Sequence, residues 1–297
     1  MRRGIAMVCA SSVAYGLMPL LTTELYGMGF SVVSASFWRF FLAVPMLILA
    51  CGVLRIDVRL PWRRALRLCL AVGAPSGATM LLLNGAYASI DVGLATTVHF
   101  LYPALVAVLA ALIYHDHITA AVRRSIACIA LGMAVLTGGL SLRGDGPGLM
   151  CAATSAFTYA IYLLQLDHGG FSKLSPLVTT TYIAATNSVL MLIVGVATQP
   201  VQMLNGSADC LVALGLAGLS LFALYCLAAG SRFLVSHYVA VFGLLEPITS
   251  VACGVVFLGE SFTASKLIGV TLVALAIIIV VLEGRAPAGH AMRRAGR

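Results

Sequence analysis

Charge is what this chain has least of. Only 9% of its 297 residues are charged, 61% are hydrophobic, and the mean hydropathy is +1.04. A soluble domain is roughly a quarter charged and must cover a large surface with polar groups. The shortage excludes the soluble globular class, so the outer surface faces lipid. Alternating apolar and polar segments of about ten residues, the mark of a membrane β-barrel, are missing too. The eight cysteines form no CxxC pair, which excludes a disulfide framework and leaves them as small apolar packing residues. P-loop, GxSxG and HExxH motifs are absent, and no paired catalytic aspartates lie within the apolar runs. These absences argue against ATP drive within the chain and against an intramembrane enzyme, and no cofactor or metal is expected.

What is there is a series of continuous apolar runs, each about as long as a helix that crosses a bilayer. Ten are read, at about 4–24, 31–54, 65–90, 92–114, 121–140, 147–167, 174–198, 209–231, 235–258 and 262–283. The predicted fold is an all-α membrane protein of ten transmembrane helices. The start, MRRGIAMVCASSVAYGLM, has the form of a signal peptide, but removing it would leave an odd helix count. With the N-terminus inside, 15 of the 18 Lys and Arg residues fall on the inner side, Arg143 and Lys266 fall outside, and Arg39 lies within a span. That asymmetry predicts both termini in the cytoplasm. It also accounts for the net charge of +8 through contact with the lipid bilayer, without nucleic acid.

The chain repeats itself at an offset of 144. Gly4 falls on Gly148, Ser11 on Ser155, Tyr15 on Tyr159, Pro103 on Pro247, Thr119 on Thr263 and Asp116 on Glu260. The predicted units are a first five-helix repeat over 1–143, a second over 144–284 and a basic cytoplasmic tail over 285–297. Five is odd, so the two repeats cross the bilayer in opposite senses. Such an inverted repeat is the plan of many secondary transporters.

Two apolar stretches hold the repeated prolines: HFLYPALVAV at 99–108 and FGLLEPITSV at 242–251. Proline cannot donate to the carbonyl four residues earlier. The spacing predicts carbonyls of His99 and Gly243 that lack their helical partners near mid-membrane, which requires protein or a watery cavity beside them. A kink that only shapes packing is the plainer alternative.

Leu101–Pro103, Leu245–Pro247, Gly259–Glu260, Lys266–Gly269 and the FWRF stretch Phe37–Phe40 together resemble the drug/metabolite transporter superfamily. More narrowly, they resemble its EamA-type branch of ten helices in two repeats, and within that the YddG-like amino-acid exporters. The first half departs from the pattern: Tyr102 stands where the second half has Glu246, and His115–Asp116 replace Gly–Glu. The resemblance implies alternating access, export from the cytoplasm, and a central cavity walled mainly by the third, fourth, eighth and ninth helices. It implies a multi-pass protein of a bacterial inner (plasma) membrane.

Candidate cavity residues follow from polarity at depth. Arg39 and Glu246 are the two charges well inside spans, with cavity, pairing and gating roles all open to them. His99 shares a helix face with Pro103. Tyr15, Tyr159, Tyr102, Tyr238 and Trp38 offer aromatic surface with a polar tip. Met80 and Asn84 share a face of the third run, and Gly243 and Pro247 mark the second break. Gly73 and Gly77 form a GxxxG pattern suited to close helix approach. The HDH triplet at 115–117 reads as a helix end rather than a metal site. The expected substrate is an amino acid, aromatic or broadly neutral, or a similar small metabolite, with the proton as candidate coupling ion. Phosphorylated sugars would need more cations than Arg39, and a channel is the remaining alternative. Oligomeric state is not legible.

Overall fold

The computed structural model describes residues 2–90, 92–136, 146–171, 173–257 and 263–283, all helical apart from short connections. The repeat boundary at 143/144, the Gly259–Glu260 motif and the tail 285–297 lie outside the described residues. The first half holds α1 (Arg2–Gly27), α2 (Val32–Val53), α3 (Trp62–Leu68), α4 (Ala74–Ser89), α5 (Val92–His99), α6 (Tyr102–Tyr114) and α7 (Ala120–Leu136). A π-helical segment, Cys69–Gly73, joins α3 to α4. The second half holds α8 (Gly146–His168), α9 (Pro176–Ala197), α10 (Ser207–Gly230), α11 (Ser236–Gly243), α12 (Leu245–Phe257) and α13 (Ala264–Glu283). Among the described residues, seven helical stretches are long and apolar enough to cross a membrane, with α6 and most of α13 as shorter apolar helices.

Local chemistry sets the helix ends. The hydroxyl of Ser31 accepts the Ser34 N–H at 3.2 Å and opens α2. Asp209 Oδ2 accepts from the backbone N–H groups of Asn205 and Gly206 at 3.2 Å each and opens α10. At the end of α6, His115 turns left-handed (φ 57°), and the N–H of Asp116 reaches back to the Ala110 carbonyl at 3.1 Å. This is a Schellman-type stop, with histidine where glycine is usual.

Prolines 103 and 247 do not sit within bent helices. α5 ends at His99 and a new helix opens at Tyr102; α11 ends at Gly243 and a new helix opens at Leu245. Each proline therefore lies in the first turn of a fresh helix, where its missing N–H costs nothing. By contrast α1 and α2 run on through Pro19 and Pro45.

Packing between the halves is reciprocal. α1 packs on α10 and α4 on α8, which exchange under the 144-residue offset, while α2 packs on α9 and α7 on α13, which map onto themselves. The same holds at residue level. A Cβ on Gly4 would meet Phe233 and Leu234; one on Gly148 would meet Ser89 and Ile90. Adding 144 to the second set gives the first. This is the signature of a two-fold interface within one chain. Small residues bring these helices close: Gly73 abuts Thr186 and Gly77 abuts Asn187, so the GxxxG pattern serves the approach of α9.

Candidate functional site

Between the halves lies a pocket of about 200 Å³, room for roughly seven waters. α1 gives it Tyr15, and α2 gives Arg39 and Phe40. α4 contributes Ser76, Thr79, Met80, Leu83 and Asn84, the i, i+3, i+4, i+7, i+8 face of one helix. His99 and Tyr102 flank the first break, Tyr159 and Tyr162 come from α8, Leu224 from α10 and Glu246 from α12. Three pairs of these residues are related by the 144 offset: Tyr15 with Tyr159, Met80 with Leu224, and Tyr102 with Glu246. The pocket straddles the internal two-fold.

Of the residues singled out in the sequence, Tyr15, Arg39, Met80, Asn84, His99, Tyr102, Tyr159 and Glu246 meet here. Five others stand elsewhere. Pro103 and Pro247 are buried in helix–helix packing, because each belongs to the opening turn of the next helix rather than to the break. Gly243 presses on the Tyr102 hydroxyl, 2.6 Å from where a Cβ would be, so its role there is to leave room. Tyr238 is fully buried against His237. Trp38 points to an apolar groove with Phe37, Phe41 and Leu192, and its indole N–H donates to the Gln202 carbonyl at 2.8 Å. Ser76, Thr79, Leu83, Tyr162 and Leu224 were not singled out, and Phe40 entered only as part of FWRF; running the helical period outward from Met80 and Asn84 reaches Ser76, Thr79 and Leu83.

The walls are also wider than the third, fourth, eighth and ninth helices. The first and sixth apolar runs, here α1 and α8, supply the facing tyrosines, and the eighth, here α10, gives only Leu224.

Hydrogen bonds fix the chemistry of several walls. The Ser155 hydroxyl donates to the Ala152 carbonyl at 2.7 Å. Its single proton is then spent, so at 3.0 Å it accepts from Nδ1–H of His99. A neutral His99 ring therefore keeps Nε2 as an acceptor. The Tyr102 hydroxyl crosses to the other half and donates to the Ala240 carbonyl at 3.3 Å. His99, Tyr102, Tyr159 and Tyr162 form a ring cluster with centroids 4.6–5.7 Å apart. The Arg39 guanidinium lies 5.1 Å from the Phe40 ring centre and 5.9 Å from that of Tyr15, and its Nε is buried without a hydrogen-bond partner. Among the described residues Arg39 and Glu246 form no salt bridge with each other or with anything else. Arg39 and Glu246, the two ionisable groups well inside spans, thus line a single small pocket without forming a salt bridge.

No curated protein matches the sequence. Twenty-nine solved chains match the structure. One, a crystal structure of another protein, aligns with a TM-score of 0.79 over 95% of this chain and 99% of its own, at 16% identity, a likeness of fold. The description "EamA-like transporter family" matches twice, over residues 2–138 and 146–282. The second match begins and ends 144 residues after the first, the offset of the repeat. Together the matches take in nearly the whole chain, which belongs to the EamA-like transporter family.

Proposed function

We propose that this chain is a secondary transporter that crosses the membrane ten times and exports amino acids or similar small metabolites by alternating access around this pocket. The observation that carries the reading is that Arg39 and Glu246 line one pocket without forming a salt bridge with each other. A zwitterion presents a carboxylate to the first and an ammonium to the second. The tyrosines add faces that attract an ammonium and that accommodate neutral or aromatic side chains, and His99 Nε2 adds an acceptor. The pocket's size favours a small metabolite in this conformation. A phosphorylated sugar would place two negative charges beside Glu246 with only Arg39 to offset them.

The reciprocal packing of the halves supports five crossings in each, an inverted repeat, both termini in the cytoplasm and a pocket reached from either side in turn. The location is a plasma membrane, an inner one in a bacterial cell. The test is counterflow of labelled amino acids in proteoliposomes, with and without a pH gradient. Saturable exchange is expected, and it should be lost in Glu246→Gln and Arg39→Gln. Each change removes a charge-assisted contact of about 1.5–3 kcal/mol, or roughly 10–150-fold in apparent affinity. Exchange unaffected by either change would overturn the zwitterion reading, and a gradient effect would identify the proton as coupling ion.

A further inference from the structure

A second polar cluster lies outside the pocket, where the ends of α6 and α8 meet the start of α11. His168, the last residue of α8, stands between two carboxylates: its Nε2 is 3.3 Å from Asp116 Oδ2 and its Nδ1 is 3.5 Å from Asp167 Oδ2. Asp116, Asp167 and His168 each bring a donor atom within 4.8 Å of the other two. Asp167 is buried, and its Oδ2 accepts the Ser236 N–H at 2.7 Å. The next residue, His237, is only 3% exposed, and both its ring nitrogens lack hydrogen-bond partners. It follows Ser236, whose N–H Asp167 holds, so it stands beside the cluster although it is not one of the three residues grouped within 4.8 Å.

This corner is unusual in its concentration of unmet polar atoms. Of the nine buried side-chain N and O atoms without a hydrogen-bond partner among the described residues, five are here: Ser236 Oγ, both nitrogens of His237, and Asp116 Oδ2 and His168 Nδ1, whose contacts are the ion pairs above. Burying such groups is costly, and each calls for an explanation. The imidazole and carboxylates grouped here, from α8 and the loop after α6, are donor types that zinc takes, and His237 on α11 offers a further imidazole beside them. Tetrahedral ligands 2.0–2.2 Å from a metal lie roughly 3.3–3.6 Å from each other, and the Asp116–His168 separation already has that value. The ring of His168 is held in place by stacking on Tyr114, with centroids 3.9 Å apart and planes 17° apart.

We propose that Asp116 and His168, its ring oriented by Asp167 at Nδ1, bind a divalent transition metal of the zinc class, with His237 from α11 completing the set. Asp116 belongs to the first half and the other three to the second. An ion there ties the loop after α6 to α8 and α11, which makes the site a place where metal restrains relative movement of the halves. The sequence hides it. The HDH triplet contributes its aspartate alone, because the left-handed turn at His115 directs Asp116 toward a partner 52 residues away.

The test is binding of the metal itself to the purified full chain in detergent, so it does not depend on any transported substrate. Zn²⁺ should raise the melting temperature of the unmodified protein, and Co²⁺ should give the visible absorption of a tetrahedral nitrogen–oxygen site. Both responses should vanish in His168→Gln combined with His237→Gln. Asp167→Asn should weaken Zn²⁺ binding about 10–100-fold. Asp116 is partly exposed, so Asp116→Asn serves where the histidine pair fails to fold, and it should likewise lose the Co²⁺ spectrum. Absence of a metal response in the unmodified protein, or a response of equal size in Asp116→Asn, would mean that the cluster is a metal-free polar contact and that zinc binds elsewhere, for example at free cysteines.

Discussion

Tyr102 and Gly243 show how one missing side chain can serve the residue opposite. The phenol of Tyr102 passes from the first half into the second and ends against the α-carbon of Gly243. Gly243→Ala would put a methyl group 2.6 Å from that hydroxyl. Overpacking of this kind costs about 1–3 kcal/mol, so the melting temperature should fall. Because the clash is with the oxygen, Tyr102→Phe in the same chain should restore most of the loss, and a melt of the single and double variants decides it. His115 is the reverse case, a side chain where none is wanted. Its backbone occupies the left-handed region at φ 57°, which costs an L-residue about 1 kcal/mol. His115→Gly should raise the melting temperature, less a share for the added freedom of the unfolded chain.

At the scale of elements, the helix ranges were legible because continuous hydropathy over some twenty residues has one meaning in a chain with so little charge. The repeat was legible too, since six matched residues share an offset. What could not be read was the direction in which each helix turns its polar side chains. Trp38 and Arg39 are adjacent, yet they face a groove and the pocket respectively, and one residue of rotation about a helix is 100°. The hydrogen bond between His99 and Ser155 joins residues 56 apart, which no local pattern encodes. The π segment at Cys69–Gly73 gave no signal either. The prolines were legible as interruptions of the apolar runs but not as the opening turns of new helices, since proline fits the first turn of a helix as well as it spoils the middle. Pro103→Ala tests what remains of that idea. The new N–H can reach the His99 carbonyl and join α5 to α6, with a gain of about 0.5–1.5 kcal/mol. The expected outcome is an equal or higher melting temperature with slower exchange; unchanged exchange would show that the break serves packing alone.

For the whole molecule, the main helix contacts run between the halves rather than within them: α1 on α10, α4 on α8, α2 on α9 and α7 on α13. Neither half can bury its own helix faces. Residues 1–143 and 144–297 expressed separately should each be degraded or aggregate, whereas co-expression should give a complex that purifies as one species, as gel filtration after affinity capture of one half would reveal. The reciprocity has a further consequence. Under the alternating access proposed above, two identical repeats that swapped conformations would give back the same object turned upside down, so inward-open and outward-open forms would be degenerate. Any resting preference must be written in the positions where the repeat fails. Along the fourth apolar run and its counterpart, the ninth, those are His99 against Gly243, Tyr102 against Glu246, and His115–Asp116 against Gly259–Glu260. A carrier built this way keeps its bias in a handful of mismatched pairs, and exchanging the side chains of one pair should tilt it the other way.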